Sequence, residues 1–286
     1  MPKVLIGINT YPGHAFCREE YVESIKAMQK HAHKRGIGSE VLVVWNGNQP
    51  QWGFDDFKVV EYKPLETDRG IDILVKKQNV ILDHFMKRES FTHLFMSESD
   101  TLPVPDTLSA YIKYDKDIIS QPYWVESQNY AVVTIPLDNP RYVQFAQYET
   151  DKAILQLNKV IPCVWGLFGN RSRLWDTEDL LPQRGLVRCM ATGIGACLIK
   201  REVLRKVGRF RVRGKKSQFQ QFTDFLFGLH AFREGFQMFA DTDRIAKHLH
   251  YDFDDEQALQ KWFDPNDVTD LGTEANPFDK SKDIRL

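Results

Sequence analysis

The feature that most constrains this chain is the alternation, over its first hundred residues, of short apolar runs with segments of helical period. Val4 to Ile8 is apolar and gives way to Asn-Thr-Tyr-Pro-Gly, a strand running into a loop. Tyr21, Val22, Ile25 and Met28 then recur at helical spacing, with Gly36 and Gly38 closing that helix. Val41 to Trp45 is a second strand, ended by Asn46-Gly47, and Lys58 to Tyr62 is a third. Leu74, Ile81 and Phe85 stripe a second helix, and Thr92 to Ser97 returns to strand. Strands that are apolar throughout belong to parallel sheets covered by helices on both faces. Such sheets take their ligands at the carboxyl ends of the strands, so the residues just past each strand matter most.

The second half is less regular. Asp117 to Gln121 and Ala131 to Ile135 read as strands, Val164 to Arg184 as a loop-rich stretch, and Thr192 to Ile199 as one strand with glycines at its start. Phe222, Phe225, Leu226, Leu229 and Phe232 mark a helix capped by Thr223 and ended by Gly235, with a strand from Phe236 to Ala240. Beyond residue 252 the chain turns acidic, so the division expected is a catalytic domain over 1–252 and a tail over 253–286 holding a short helix around Gln257 to Phe263. At 286 residues, with 42% hydrophobic and 12% aromatic residues, the chain has the composition of a folded domain and not of a disordered one. No apolar run reaches the roughly 18 residues of a membrane span. The strand-like start at Met1-Pro2-Lys3-Val4 leaves no secretory signal, and Cys17, Cys163, Cys189 and Cys197 lack metal-ligand spacing. A cytoplasmic protein with buried thiols is expected.

Charge is balanced overall, at a net −1, but unevenly spread. Lys200 to Lys216 holds nine Lys or Arg and one acid, Glu202. This stretch reads either as a solvated face or as a loop closing on a polyanion, with Arg211, Arg213 and Lys215 as its contacts.

Three places carry chemistry. His93-Leu-Phe-Met-Ser-Glu98-Ser99-Asp100 is a buried strand ending in two carboxylates at i and i+2. Strand alternation puts both on one side, about 6–7 Å apart, which suits a hard cation; a solvated turn with acids capping a helix is the other reading. His248-Leu-His250 follows a strand-like segment, and one of its rings, His248 or His250, can reach the same site. Asp224 stands one residue into a helix, where the dipole favours its ionised form, as a general base requires; first-turn acids also simply stabilise helices.

Together these residues resemble the glycosyltransferase A fold, and within it the family 2-like inverting enzymes. Glu98-Ser99-Asp100 is similar to the metal-binding acidic motif, with Glu in the first place. Cys189 to Leu204 is similar to the Gly-rich strand leading to a basic helix start, and Thr223-Asp224 to Gly235 to the helix carrying the base. Phe236 to His248 is similar to the closing strand with its histidine. The resemblance spans about residues 3–252 and implies a Rossmann-like, mixed, mostly parallel α/β sheet flanked by helices in a single domain. It implies transfer of a sugar from a UDP- or GDP-type nucleotide-diphosphate donor, aided by Mn²⁺ or Mg²⁺ on Asp100, His248 and Glu98. It implies Asp224 as base, and Thr10, Tyr11, Asn46, Arg69, Lys77, Ser99 and Gly193 as the nucleotide-sugar contacts. Asn46 stands where an Asp is usual. The acceptor is left open among glycans, lipid-linked saccharides, proteins and modified DNA bases. Two alternatives stand beside this reading: a sugar-phosphate nucleotidyltransferase, disfavoured by the absence of a Gly-rich basic loop after the first strand, and a non-catalytic sugar-nucleotide or glycan-binding module. Trp124 and Trp165 suggest either a stacking platform or core packing.

Overall fold

A computed structural model describes residues 1–47, 53–127, 133–134, 144–145, 159–168, 171–175, 177–211, 223–251 and 260–262. The first half runs β1 (Lys3–Thr10), a 3₁₀ turn (Pro12–Cys17), α1 (Arg18–Lys34), β2 (Gly38–Trp45), β3 (Lys58–Glu61), α2 (Gly70–Lys87), β4 (His93–Glu98), β5 (Thr101–Leu102) and α3 (Thr107–Tyr114). Then come β6 (Ile118–Ser120), β7 (Trp124–Ser127), β8 (Val133–Thr134), β9 (Gln144–Phe145), β10 (Lys159–Pro162), β11 (Val164–Phe168), β12 (Arg171–Leu174) and α4 (Thr177–Leu180). The chain continues through β13 (Leu186–Cys189), β14 (Ala191–Thr192), β15 (Ala196–Lys200), α5 (Arg201–Val207), α6 (Thr223–Arg233), β16 (Met238–Asp241), β17 (Lys247–Tyr251) and β18 (Gln260–Trp262).

The central sheet has eight strands in the order β13-β16-β6-β15-β4-β1-β2-β3. Its pairings are parallel except where β15 lies between β4 and β6 and where β13 edges β16. The chain leaves β1 towards β2 and β3, then crosses back to place β4 on the other flank of β1. Right-handed crossovers in opposite directions put the two helices on opposite faces. Side-chain alternation follows suit: Val4, Ile6, Ile8, Val41 and Val43 share a core with Tyr21, Ile25 and Met28 of α1. Leu5, Leu42 and Val44 share the other with Val75, Ile81 and Phe85 of α2. Each such aliphatic side chain contributes about 1.5–3 kcal/mol on burial.

Contact between β1 and α2 is close at Gly7, where an added Cβ would lie 2.2 Å from Ile81 Cγ2. Overpacking of this kind costs about 1–3 kcal/mol. Gly7→Ala should therefore lower stability in urea by that amount, and Ile81→Ala by about 2–5 kcal/mol as a cavity. Because the two changes relieve one another, the double variant should lose less than their sum.

Several sequence expectations are corrected in the second half. The stretch read as one strand from Thr192 to Ile199 is two, broken at Gly193–Gly195, with β14 pairing β11 and β15 pairing β4 and β6. Val164 to Arg184, expected as loop, holds the antiparallel pair β11–β12 and α4. Where a helix was expected around Gln257 to Phe263, residues Gln260–Trp262 form β18 against β17. Trp124 and Trp165 are buried, Trp165 with its ring edge-on to Phe225, so neither offers a stacking platform. Arg213, Lys215, the remainder of the tail and the side chain of His250 lie outside the described residues.

Arg244 ties the closing strands to α3. Its guanidinium donates to both carboxylate oxygens of Asp106 at 3.0 and 2.7 Å and to the fully buried Asp241 at 3.1 Å. Arg244→Ala would strand the Asp241 carboxyl without a cation, and urea denaturation should show a loss of about 3–5 kcal/mol.

Candidate active site

Strand order reverses at β1, whose neighbours β2 and β4 lead the chain away in opposite directions, and a crevice opens at the carboxyl end of such a point. Asn9 of β1 is in register with Glu98 of β4, so the Thr10 loop and the Glu98-Ser99-Asp100 turn face one another there. The Ser99 amide donates to the Asn9 carbonyl at 3.3 Å, and the Ser99 hydroxyl donates to Thr10 Oγ1 at 2.8 Å. Strand β4 ends at Glu98, leaving Asp100 in a turn. Strand alternation, the reason given for pairing Glu98 with Asp100, therefore does not extend to Asp100.

Asp100 is instead placed by β5, the strand directly after it. His248 of β17 is in register with Thr101, and the Leu249 amide donates to the Asp100 carbonyl at 2.8 Å. This brings His248 Nε2 to 3.4 Å from Asp100 Oδ2. A carbonyl only accepts, so the 2.8 Å contact from His248 Nδ1 to the Trp124 carbonyl puts the ring hydrogen on Nδ1. Nε2 is then either protonated against Asp100 or a lone pair open to a cation. Burial opposes charge on His248, but the hydrogen bond and charge of Asp100 outweigh it and raise the imidazole pKa. Burial likewise opposes charge on Asp100, yet the hydrogen bond from His248 and the charges of His14 and His248 hold it well below the usual carboxylate range.

His14 is a member of this cluster that local sequence pattern did not single out. Its Nε2 lies 3.3 Å from the same Asp100 oxygen, and its Nδ1 lies 2.7 Å from Ser99 Oγ. The signal was a histidine in the loop after the first strand, Asn-Thr-Tyr-Pro-Gly-His, at the edge where ligands bind. With the Ser99 hydroxyl donated to Thr10, His14 Nδ1 is the donor to Ser99 and its Nε2 lone pair faces Asp100. Burial lowers the His14 pKa despite the Asp100 charge. Two acceptors facing one another in this way are relieved by a cation. The donor set of one carboxylate and imidazole nitrogens fits a divalent ion of the Mn²⁺ type better than Mg²⁺, which prefers oxygen. Among the described residues no three or more His, Cys, Asp or Glu side chains form a cage that could hold a metal by themselves. Ligand and water oxygens must complete any coordination sphere here.

Glu98 has its carboxyl raised well above the usual range by burial first, then by Asp224, then by Asp100. Asp224 faces the broken strand: its Oδ2 accepts from the Ile194 amide at 3.3 Å and its Oδ1 from the Thr223 hydroxyl at 2.9 Å. Burial outweighs these donors and raises the Asp224 pKa, acting against the helix dipole that favours its ionised form. Gly193 makes room for Tyr123, since a Cβ there would lie 2.3 Å from the tyrosine hydroxyl.

Lys77 organises the nucleotide side of the crevice. It is buried on α2 and donates to the Thr10 carbonyl at 2.9 Å and to Asn46 Oδ1 at 2.5 Å, joining the ends of β1 and β2. Its ammonium also lies 5.9 Å from the Tyr11 ring centroid. Beside it, the side-chain amides of buried Gln78 and Asn9 have no hydrogen-bond partner among the described residues, an unmet polar demand. Arg69 stands at the start of α2 but is engaged with Asp72, at 2.8 and 3.1 Å, in a cap. Arg211 is exposed beyond α5.

Burial depresses the Lys77 pKa to about 8 against Glu98, which raises it. Between pH 8 and about 10.5 the unfolded chain binds more protons at this lysine than the folded one, so its contribution makes stability rise with pH across that window. The difference in unfolding free energy between wild type and Lys77→Met should show this slope, and a flat difference would contradict the burial argument.

No protein-family model matches the chain, and no curated protein matches it in sequence. Among solved structures it is similar to the catalytic domain of Drosophila β1,4-galactosyltransferase 7 in complex with xylobiose, at 12% identity and a TM-score of 0.44 over 96% of this chain and 82% of that one. It is similar to A197 from STIV at 13% identity and 0.41 over 87% and 85%, and to S. aureus TarS 1-349 at 14% and 0.41 over 86% and 59%. With TM-scores below 0.5, the fold class rests on the strand order itself: a Rossmann-like, mixed, mostly parallel α/β domain. Among the described residues no helix is long and apolar enough to cross a membrane.

Proposed function

We propose that this chain is a metal-dependent, inverting glycosyltransferase that moves a sugar from a nucleotide diphosphate to an acceptor hydroxyl. The observation that carries the reading is the meeting of Asp100 and His248 at 3.4 Å beside the strand-order reversal, with His248 Nδ1 already committed to a backbone carbonyl. Asp100 and His248 would hold the cation, with the His14 Nε2 lone pair facing the same Asp100 oxygen and Glu98 lying on the Asp224 side. When bound, Mn²⁺ would act as a Lewis acid for the negative charge of the departing diphosphate, worth several kcal/mol.

The other groups belong to this chain alone. Lys77 holds the Thr10 and Asn46 ends together, so that Thr10, Tyr11, Asn46 and Ser99 present one polar edge to the nucleotide. The resemblance adds Arg69 and Gly193 as further contacts, Arg69 having first to leave Asp72. Asp224, held by the Ile194 amide and the Thr223 hydroxyl, would take the acceptor proton, and burial raises its affinity for that proton. The acceptor oxygen bonds to the anomeric carbon as the bond to the diphosphate breaks. The proton goes to Asp224 and the electron pair leaves with the phosphate. Arg211, Arg213 and Lys215 belong to a basic segment suited to the diphosphate or to a polyanionic acceptor.

A thermal-shift titration with UDP and GDP sugars tests this. Stabilisation should require a divalent ion, be larger with Mn²⁺ than with Mg²⁺, and vanish in Asp100→Ala. Asp224→Asn should keep that stabilisation and lose transfer by about 10²–10⁴-fold. Unaltered donor binding in Asp100→Ala, or turnover that survives chelation, would remove the reading.

A further inference from the structure

Arg18 is the first residue of α1 and is 8% exposed, an unusual place for a guanidinium. It lies between two rings, 5.3 Å from the Trp45 centroid and 5.7 Å from that of Phe54. Its stem is covered by Gly53, a left-handed residue (φ 85°) at which a Cβ would sit 3.1 Å from Arg18 Cδ. Ring contact compensates part of the desolvation of a cation, but it supplies no hydrogen bond.

No counter-charge is present among the described residues. Nε is fully buried without a partner, and no ion pair or hydrogen bond from those residues reaches the side chain. Of the acids nearby in sequence, Glu20 pairs with Lys247 at 2.8 Å and Asp56 with Lys26 at 2.5 Å, while Glu19 and Asp55 are exposed. The adjoining segment, Asn48-Gln-Pro-Gln-Trp52, contains no carboxylate. The titratable group acting on Arg18 is Cys17, whose thiol burial pushes up to about 12 and so leaves neutral. Only Nε is a buried orphan; the two terminal nitrogens are not, so the end of the guanidinium can meet an anion while its inner edge stays fixed between the rings.

Its place in the fold says where that anion comes from. Trp45 ends β2 in register with Thr10, which ends β1, so Arg18 lies under the ligand-binding edge of the sheet. It is on the α1 face, opposite Lys77 on α2, and therefore apart from the Lys77–Asn46 contact. Packing there is tight: Gly47 has room for no Cβ between Pro12 (2.7 Å) and Trp45 (3.2 Å). A guanidinium presents a planar fork that matches phosphate oxygens two at a time.

We propose that Arg18, held between Trp45 and Phe54, anchors a phosphate-binding subsite at the carboxyl edge of β1 and β2. The phosphate belongs either to a nucleotide or to a phosphorylated acceptor. The subsite does not depend on sugar transfer or on a metal. Its test is calorimetric titration of inorganic phosphate and pyrophosphate into metal-free protein, with UDP and Mn²⁺ in a separate arm. Wild type and Asp100→Ala should bind phosphate alike. Arg18→Met should bind it at least about tenfold more weakly, the range of a charge-assisted hydrogen bond. Arg18→Lys, which keeps the charge and stem but not the fork, should also weaken it and guards against misfolding of the first variant. If Arg18→Met weakens UDP binding too, the subsite takes the nucleotide's phosphate; if UDP binding is unchanged, it takes the acceptor's. Phosphate affinity equal to wild type in both Arg18 variants, or none in wild type, overturns the subsite. Loss of UDP–Mn²⁺ binding in Asp100→Ala with phosphate binding intact would leave it standing.

Discussion

The reversal of strand order at β1 is the constraint on which the other features depend. Parallel strands need long crossovers, and right-handed crossovers of opposite direction leave helices on opposite faces. Strand β1 is thus sealed by α1 on one side and α2 on the other, and its buried residues belong to two separate cores. The carboxyl ends of β1 and β4 cannot be covered by a direct connection between them. That edge receives Thr10, His14, Ser99 and Asp100, of which Thr10 and Ser99 are buried by the loops around them.

Charge is then concentrated where the fold is least able to hydrate it. Asp100 lies against His14 and His248, Glu98 against Asp224, and Lys77 between two backbone ends. Each arrangement shifts a protonation equilibrium, because burial penalises whichever form carries charge unless an opposite charge or donor answers it. Asp100 is answered and stays ionised, whereas Glu98 meets two like charges and is pushed the other way. Arg18 on the α1 face meets two aromatic rings but no counter-charge among the described residues. Such unbalanced groups gather at sites of binding and chemistry more often than in structural cores.

The first half of the fold was legible because apolar runs and helical stripes there are local. β1, β2, β3, α1, α2 and β4 appear within a few residues of where periodicity places them. After Ser120 legibility is partial: α6 and β16 lie close to where a helix and a strand are read, but the stretch from Val164 to Ile199 is misread. The pairs β14–β11 and β15–β4 draw adjacent residues into different sheets, and no local period reports that. The candidate site divides in the same way. Glu98, Asp100, Asp224 and His248 stood out by residue type and by their place after a strand or on a helix, whereas Lys77 came only from the family resemblance. His14 did not, because a single loop histidine acquires meaning only from Ser99 and Asp100, some 85 residues away. Arg18 read as one charge among many on a helix, and its lack of a partner is a property of the space around it.

The amino-acid sequence by itself determined which segments are strands and helices in the first hundred residues, and therefore a sheet with both faces covered. Side-chain period and turn residues act over a few positions and need no distant partner. Tertiary structure alone decided that β17 pairs with β5, which sets the His248 imidazole against Asp100, and that Asp224 is buried beside Glu98. Backbone pairing and electrostatic coupling depend on distance through space, and distance through space is what a linear order of residues does not contain.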